Sequence, residues 1–204
     1  MHVRVNAATS ADGKLASHRR EQVAISGDED FARVDGMRAE SDAVMVGVGT
    51  VLADDPHLTV AGATPARVVA DSRLRTPRDA RILDDAAPTY LLASEAAPDE
   101  DVPDATVIRA GADRVALPEA LDALEAAGVE SLLVEGGGEL IFSLFEAGLV
   151  DDLSVFVGGT LIGGRDAPTL ADGEGFGLPE AFVDLSLVGV ERLDDGVLLR
   201  WTVD

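Results

Sequence analysis

Short apolar runs alternate along the chain with segments of helical spacing. Such runs, bounded by glycine, proline and acidic residues, are typical of strands that are buried on both faces of a sheet. The runs in the first part of the chain are Val3–Ala8, Ala43–Gly47, Arg67–Asp71, Thr89–Ala93, Thr106–Arg109, Ser131–Glu135 and Asp152–Val157. Because helical segments separate several of these runs, the pattern predicts an α/β layered domain with a largely parallel central sheet.

The first helix is predicted after residue 26. The segment Ser26-Gly-Asp-Glu29 has the form of a capping box, and a helix is expected to continue from it through Glu40. The positions that would share one face of this helix are Phe31, Val34, Met37 and Arg38. A second helix begins near Pro118 and is closed by Gly128, because proline suits the first helical turn and glycine the residue after the last.

The end of the chain follows a different pattern. A third helix is predicted from the glycines at 136–138 to about Ala147. The last two apolar runs, Leu185–Arg192 and Gly196–Val203, are separated only by a turn at Asp194-Asp195-Gly196, which predicts an antiparallel hairpin at one edge of the sheet. No internal repeat and no low-complexity linker occurs, and we therefore expect a single domain over residues 1–204.

The charge balance excludes several classes of partner. The 204 residues include 16 basic and 38 acidic side chains, which gives a formal net charge of −22. Nucleic acids and anionic membranes need a cationic surface, so neither is expected as a partner. No apolar run approaches the roughly 20 residues that cross a bilayer, and the N-terminus lacks the pattern of a signal peptide, so a cytoplasmic location is expected. The absence of cysteine excludes disulfides and thiolate chemistry.

The basic residues are also unusual in kind. Lys14 is the only lysine, and the other basic residues are arginines. Heavy carboxylate loading with almost no lysine resembles proteins from a salt-loaded cytoplasm, in which surface acids keep the chain hydrated. We therefore expect a halophilic protein, and an ordinary acidic surface is the alternative.

Three glycines directly after a strand give the strongest local signal for a ligand. Gly136, Gly137 and Gly138 leave the strand that ends at Glu135 and lead into a helix. A backbone without Cβ atoms approaches a phosphate closely, and the helix N-terminus beyond it offers free N–H groups. The spacing is not that of a Rossmann turn, and a tight structural turn is the alternative. Glu139 follows the glycines, where an acid suits the helix dipole but not a phosphate.

Two further segments indicate a nucleotide site. Five arginines fall within fifteen residues at Arg67, Arg73, Arg75, Arg78 and Arg81, and guanidinium groups would suit a terminal phosphate such as the 2′-phosphate of NADP. Pairing with nearby acids such as Asp84 is the alternative. The segment from Gly47 to Pro56 places Thr50 and Asp54 after a buried strand, where ligands of open α/β sheets gather. The alternative there is a capped turn.

Other candidate chemistry is weaker. Asn6, Ser10, Asp12, Gly13 and Lys14 leave the first strand, although Asp-Gly is also an ordinary turn signal. The three histidines are scattered, and no carboxylate cluster has metal spacing, so no metal is expected. The residues alone therefore predict an α/β domain with a site for a phosphate-bearing nucleotide.

Taken together, these segments resemble one family along nearly the whole chain. The sequence is similar to the reductase family of riboflavin biosynthesis, the C-terminal domain family of the bifunctional bacterial enzyme, and most similar to its stand-alone archaeal form. No zinc-binding deaminase segment accompanies the motifs, which favours the stand-alone form. The matching segments are Asn6-x-x-x-Ser10-x-Asp12-Gly13-Lys14, Ile25-Ser26-Gly27, Arg38-Ala39-x-x-Asp42, Gly47-Val-Gly-Thr50-Val-Leu-Ala-Asp54-Asp55-Pro56-x-Leu58-Thr59, Val69-Ala-Asp71-Ser72-x-Leu74-Arg75-x-Pro77, Val134-Glu135-Gly-Gly-Gly138, Gly148-Leu-Val-Asp151 and Gly163-Gly164-x-x-Ala167-Pro168-Thr169.

The resemblance implies a fold, a reaction and a set of residues. The implied fold is a dihydrofolate-reductase-like three-layer α/β/α domain, dimeric as a rule, and the implied reaction is NADPH-dependent reduction of a ribosylamino group to a ribitylamino group. The cofactor NADPH would contact Val23, Thr50, Asp54, Ser72, Arg75, Gly136, Gly137, Gly138 and Glu139. The substrate would contact Ser26, Arg38, Leu58 and Glu135. The family often has a small residue where this chain has Glu139, so contact there is expected through the backbone.

A catalytic hypothesis follows from the same residues. Glu135 is expected to accept hydrogen bonds from a diaminopyrimidinone, and Arg38 to hold a carbonyl or anionic group. Asp12 and Lys14 are the candidates for moving the proton that opens the ribosylamine. Two alternatives remain, a pterin reductase on the same fold and a non-catalytic nucleotide-binding module.

Overall fold

The nine strands of the described residues belong to one sheet. The computed structural model describes residues 1–21 and 23–204. The strands are β1 (His2–Thr9), β2 (Ala43–Gly47), β3 (Ala66–Ala70), β4 (Thr89–Ala93), β5 (Thr106–Arg109), β6 (Ser131–Val134), β7 (Asp152–Val157), β8 (Leu185–Leu193) and β9 (Gly196–Val203). The helices are α1 (Asp28–Ala39), α2 (Val48–Asp54), α3 (Leu117–Ala126) and α4 (Gly138–Glu146), with short 3₁₀ turns at Arg81–Leu83 and Pro179–Ala181. Every strand that the apolar pattern predicts is confirmed to within about two residues.

The strand order places the centre of the sheet at β6 and β1. The order is β5-β4-β3-β2-β6-β1-β7-β9-β8, and the seven strands from β5 to β7 are parallel. The last two strands pair antiparallel, so the C-terminal hairpin lies at one edge as predicted. The chain moves outward from β2 to β5 and then returns through β6 between β2 and β1. Ligands of open α/β sheets bind where the strand order reverses in this way.

Helices cover both faces of the sheet. On one face, α3 and α4 bury Leu121, Leu124, Ile141 and Leu144 against alternate strand residues such as Val134. On the other face, α2 and the 3₁₀ turn at Arg81–Leu83 pack against the intervening strand residues, with Met37 of α1 beside them. The period of two along the strands sends successive side chains to opposite faces, so each strand contributes to both cores. This is the predicted three-layer α/β/α architecture.

The first helix has the predicted range but not the predicted packing. Among the residues of α1, only Asp30 is buried, and Phe31 is 56% exposed. Ser26 does not cap the helix, because the N-cap residue is Gly27 and the backbone N–H groups of the first turn bond to Asp194 instead. The expectation of a local capping box at Ser26 was therefore wrong.

A short helix not predicted from the sequence follows β2. Residues Val48–Asp54 form α2, where only a glycine-rich turn was expected. The helix ends at Asp55, which adopts the left-handed conformation (φ 41°) and accepts a hydrogen bond from the backbone N–H of Arg81 (2.8 Å). Thr50 and Asp54 are consequently fixed on a helix at the carboxyl edge of the sheet.

Candidate active site

The predicted site residues are gathered at the carboxyl ends of the parallel strands. The segments that leave β1, β2, β3, β6 and β7 all emerge at this edge, as the parallel registers require. Two backbone hydrogen bonds link neighbouring segments there, from Glu135 N to Met45 O (2.9 Å) and from Gly47 N to Gly136 O (3.1 Å). The start of α2 and the glycine turn are therefore in contact.

The glycine turn needs residues without side chains. Gly136 and Gly137 have φ values of +155° and +97°, which L-residues other than glycine rarely adopt. A Cβ atom on Gly138 would overlap the carbonyl oxygen of Thr169 and reach within 2.8 Å of Asp172 Oδ2. Gly136 and Gly138 are buried, and Gly138 packs against Thr169 and Asp172, so the turn brings these segments close together at the start of α4. The first N–H groups of a helix lack intrahelical partners and suit a phosphate group, and the turn with the start of α4 forms the glycine cradle of the site.

Of the predicted cofactor residues, Thr50 borders this cradle, and Ser72 lies after β3 at the same edge of the sheet. The hydroxyl oxygen of Thr50 lies 3.6 Å from the position of a Cβ atom on Gly136. Ser72 lies two residues beyond Ala70, which pairs with Gly47, and its hydroxyl accepts a hydrogen bond from the backbone N–H of Val115 (3.1 Å). Asp54 lies at the last residue of α2, and desolvation raises the pKa of its carboxyl group.

The arginine cluster is divided by the structure. Arg67 is fully buried and lies near the start of β3, where it bonds to Asp84 Oδ1 (2.5 Å) and to two backbone carbonyls. The pKa of Asp84 is lowered mainly by this hydrogen bond. Arg78 pairs with Glu100 (2.7 Å). The inclusion of Arg67 in a phosphate-binding cluster was therefore wrong. Arg75 is exposed, and within residues 1–21 and 23–204 its guanidinium has no ion-pair partner.

On the other side of the glycine turn lies a bidentate ion pair. Nε and Nη2 of Arg38 each donate to a different oxygen of Glu135, both at 2.6 Å. The two side chains are 22% and 10% exposed, so the pair is largely removed from solvent. The hydrogen bonds that Arg38 donates to Glu135 raise the pKa of Arg38, which keeps its guanidinium charged. Arg38 and Glu135, predicted as substrate residues, are thus brought together, and each is the other's direct partner.

A second polar cluster under α1 was not found from the sequence. Asn6 Oδ1 accepts hydrogen bonds from Arg33 Nη2 (2.7 Å) and from the hydroxyl of Ser154 (2.8 Å). Arg33 Nε also donates to the buried carboxylate of Asp30 (2.9 Å). Val5 pairs with Val134, so the following residues Asn6 and Glu135 are neighbours across the sheet. The sequence near Arg33 gives no signal for this cluster, because Arg33 and Ser154 are both distant in sequence from Asn6.

The two residues assigned to proton transfer have different surroundings. Asp12 accepts hydrogen bonds from the Ser10 hydroxyl (2.6 Å) and from the backbone N–H groups of Ile162 (3.0 Å) and Gly163 (2.7 Å). These bonds, led by that from Ser10, lower the pKa of Asp12 to about 2, so it carries no proton at neutral pH. Its geometry fits a carboxylate that holds the loop after β7. Lys14 Nζ donates to the backbone carbonyl of Ala167 (3.2 Å) and keeps two further donors.

Four other predicted residues have side chains that the structure does not bring to the Arg38–Glu135 pair. Leu58 is 5% exposed with φ +52°, and its side chain belongs to the core, so contact with a substrate would use its backbone. Val23 packs against the small cluster formed by Ile25, Phe156 and Leu198. Ser26 lies two residues before α1 and is half-buried. Glu139 is exposed in the first turn of α4, which agrees with a backbone role.

The described residues contain neither a cluster of metal ligands nor a membrane-spanning helix. Within the described part of the chain, no group of three or more potential ligand side chains is arranged to hold a metal ion. None of the described helices has the length and hydropathy that a membrane span requires.

Comparison with known proteins agrees with this geometry. The family model of the RibD C-terminal domain matches residues 1–199. The chain is 48% identical to the 2,5-diamino-6-ribosylamino-4(3H)-pyrimidinone 5′-phosphate reductase of Archaeoglobus fulgidus, over 86% of this chain and 88% of that protein. It is 43% identical to the reductase of the same name from Methanothermobacter thermautotrophicus, over 99% and 98% of the two chains.

A solved structure shows the same architecture. The diaminohydroxyphosphoribosylaminopyrimidine deaminase/5-amino-6-(5-phosphoribosylamino)uracil reductase of Thermotoga maritima superimposes with a TM-score of 0.82 at 27% identity, over all of this chain and 56% of that one. The fold and the edge site thus define an α/β reductase domain of the dihydrofolate-reductase-like type. The chain belongs to the RibD C-terminal domain family.

Proposed function

We propose that this protein reduces 2,5-diamino-6-ribosylamino-4(3H)-pyrimidinone 5′-phosphate to its ribitylamino product in riboflavin biosynthesis, with NADPH as the cofactor. The observation that carries the proposal is the junction at Glu135-Gly136. On one side of it lies the Arg38–Glu135 pair, and on the other lies the glycine cradle with Thr50 beside it. A reductase needs a substrate and a cofactor held in contact, and this junction joins a polar substrate surface to a phosphate-binding surface.

The residues of the cradle fit a phosphorylated nicotinamide cofactor. The N–H groups at the N-terminus of α4, directly after the glycine turn, would suit the pyrophosphate, and Thr50 and Ser72 would supply hydroxyl groups along the same edge. Asp54 and the backbone near Val23 and Glu139 would complete the contacts. Arg75, exposed and with its charge uncompensated among the described residues, would hold the 2′-phosphate that distinguishes NADPH from NADH. When bound, the nicotinamide supplies a hydride.

On the substrate side, Glu135 and Arg38 would recognise the pyrimidinone as a pair. A carboxylate accepts hydrogen bonds from ring N–H and amino groups, and a guanidinium donates to a carbonyl oxygen. Their mutual bidentate contact fixes both groups before the substrate arrives, which lowers the cost of ordering them on binding. Ser26 and the backbone of Leu58 would lie around the same surface.

The reaction requires the ribosylamine ring to open before C1′ becomes reducible. Opening moves a proton from the amino nitrogen to the ring oxygen, and reduction at C1′ then takes up one further proton. Lys14 is the candidate that we retain for handling a proton, since its ammonium group lies beside Ala167 in the loop that borders the glycine turn. Asp12 would act by holding that loop, because its pKa of about 2 leaves it ionised.

We further propose that two copies of the chain associate through the edge strand β8. Large apolar side chains of this strand are exposed, with Leu187 at 56%, Val188 at 62% and Val190 at 62%, and the register places Leu187 and Val190 on the same face. An exposed apolar edge strand is an open site for pairing with another chain. A homodimer would cover this edge. A cytoplasmic, salt-rich location remains part of the proposal and rests on the acidic, lysine-poor composition.

The reaction is tested by product analysis. The purified protein is incubated in molar KCl with the ribosylaminopyrimidinone phosphate and NADPH, and the pyrimidine is examined by mass spectrometry. The proposal predicts a product heavier than the substrate by two hydrogen atoms, formed only when NADPH is present. Unchanged substrate with a folded, NADPH-binding protein would contradict it, and reduction of a pterin instead would identify the alternative enzyme.

A further inference from the structure

A side chain in the turn between β8 and β9 caps the N-terminus of α1. Asp194 Oδ2 accepts hydrogen bonds from the backbone N–H groups of Gly27 (3.1 Å) and Asp30 (3.0 Å), and its Oδ1 accepts one from Glu29 (3.1 Å). In return, Glu29 Oε2 accepts a hydrogen bond from the backbone N–H of Asp194 (3.0 Å). This is a reciprocal capping box whose two halves lie 165 residues apart in the sequence.

The first helix depends on such polar contacts for its position. Its only buried residue is the acid Asp30, and Phe31 projects into solvent. The polar attachments of α1 to the sheet include the bonds from Arg33 to Asn6 and from Arg38 to Glu135, and the partly buried Met37 packs beside the core. Because little apolar surface holds the helix, removing a polar attachment at its N-terminal end frees it to move.

The helix carries one half of the proposed site. Ser26 lies two residues before α1, and Arg38 lies in its last turn. Apart from Val23, which precedes Ser26 in the same segment, the groups assigned to the cofactor belong to other elements, with Thr50 on α2, Ser72 after β3 and the glycine turn before α4. A change in the hold on α1 therefore acts mainly on the substrate side of the site.

We propose that Asp194 is a positioning residue for the substrate side of the site, an inference that rests on the proposed function. By capping α1 from the β8–β9 turn, Asp194 fixes the helix so that Arg38 meets Glu135 in bidentate geometry before substrate binds. Preorganisation of this kind strengthens substrate binding. If α1 is loose in the free protein, ordering it on binding costs free energy and the affinity for the substrate falls.

Gly27 offers an independent way to remove the same contact. A Cβ atom at this position would lie 2.7 Å from Cγ and Oδ1 of Asp194. The backbone of Gly27, with φ −108° and ψ −165°, is one that alanine adopts without strain. Gly27→Ala therefore displaces the carboxylate of Asp194 while leaving that residue unchanged.

The experiment compares Asp194→Ala, Gly27→Ala and Asp194→Asn with Asp195→Ala, a control in the same turn whose side chain is exposed. The expected result is a rise of about fivefold in KM for the pyrimidine in the two alanine variants at positions 194 and 27. This factor is the free energy that a helix cap typically contributes to helix stability, converted to a change in a binding constant. KM for NADPH should change less than about twofold on the same scale. Asp194→Asn should recover part of the loss, since its amide oxygen still accepts from the helix, and the control should match wild type.

Hydrogen exchange at Arg38 gives a second readout that needs no turnover. The Nε–H of Arg38, at the far end of α1 from the cap, should exchange faster in Asp194→Ala and Gly27→Ala than in wild type. An unchanged KM for the pyrimidine, or equal rises in both KM values, would overturn the inference. If wild type reduces no pyrimidine, the proposed function fails by itself, and unchanged Arg38 exchange then overturns the role of Asp194.

Discussion

The ion pair between Arg38 and Glu135 allows a quantitative test of the site. Each of its two hydrogen bonds is 2.6 Å long, and the side chains are 22% and 10% exposed. A hydrogen bond to a charged group contributes about 1.5–3 kcal/mol, whereas a fully exposed ion pair contributes about 0.2–1 kcal/mol. The partial burial of this pair places its coupling free energy near the lower end of the first range, at about 1.5–2 kcal/mol.

The perturbation is a double-mutant cycle with Glu135→Gln and Arg38→Met. Glutamine keeps the shape of Glu135 but turns an amide group toward one guanidinium nitrogen, and methionine keeps part of the Arg38 stem without its charge. Free energies of unfolding are measured by urea titration in molar KCl. The pair Arg78–Glu100, at 2.7 Å with side chains 45% and 62% exposed, serves as the matched control and should couple by less than about 0.5 kcal/mol.

The same variant tests the role of the pair in catalysis. Glu135→Gln is expected to lower kcat/KM for the pyrimidine more than tenfold, which corresponds to at least about 1.4 kcal/mol of transition-state stabilisation. A coupling energy equal to that of the Arg78–Glu100 control would refute the argument that burial strengthens this pair. Near-wild-type kinetics of Glu135→Gln would remove Glu135 from the site.

Four further measurements test other parts of the account. Arg75→Ala should raise KM for NADPH more than KM for NADH, with Arg73→Ala as the exposed neighbouring control, and equal changes would contradict contact with the 2′-phosphate. The folded-state pKa of Asp12, about 2, is below its unfolded value of about 3.9, so its stabilisation is complete above that value and is lost as pH falls toward 2. The difference in unfolding free energy between wild type and Asp12→Asn should therefore shrink from pH 5 to pH 2. A constant difference would contradict the lowered pKa of Asp12 in the folded protein. Light scattering should show a dimer for wild type and a monomer for Val190→Glu on β8. Phe31 is a similarly exposed apolar residue outside β8, and Phe31→Glu should remain a dimer. The melting temperature should rise between low salt and molar KCl, because screening relieves the repulsion within a chain of net charge −22, and an unchanged value would contradict the salt adaptation.

The strands were predictable because buried parallel strands are continuous apolar runs. Segments such as Ala43–Gly47 and Thr89–Ala93 need nothing from the rest of the chain to be recognised. The helix α2 was missed because its seven residues include Gly49 and Thr50 and are too short to show a helical period. The local sequence pattern therefore predicted the strands of the sheet but not α2, the helix that carries Thr50 and Asp54.

The contacts within the site depend on residues that are distant in sequence. The cap of α1 comes from Asp194, and no signal near Ser26 indicates it. Arg67 and Arg75 look alike in the sequence, yet one is buried beside Asp84 and the other is exposed, because Arg67 lies within β3 and Arg75 lies in the loop beyond its end. Arg33 and Ser154 meet at Asn6 only once the sheet is formed. Sequence pattern and family resemblance located the edge of the sheet that carries the site, and the partners of each side chain required the tertiary structure.

The most direct test of the account is the rate of cofactor oxidation with the ribosylaminopyrimidinone phosphate in molar KCl. NADPH and NADH are compared at equal concentration, with wild type beside Glu135→Gln. The account predicts substrate-dependent oxidation that prefers NADPH and falls more than tenfold in the variant. A folded wild-type protein that binds NADPH but oxidises none in the presence of the pyrimidine would contradict it.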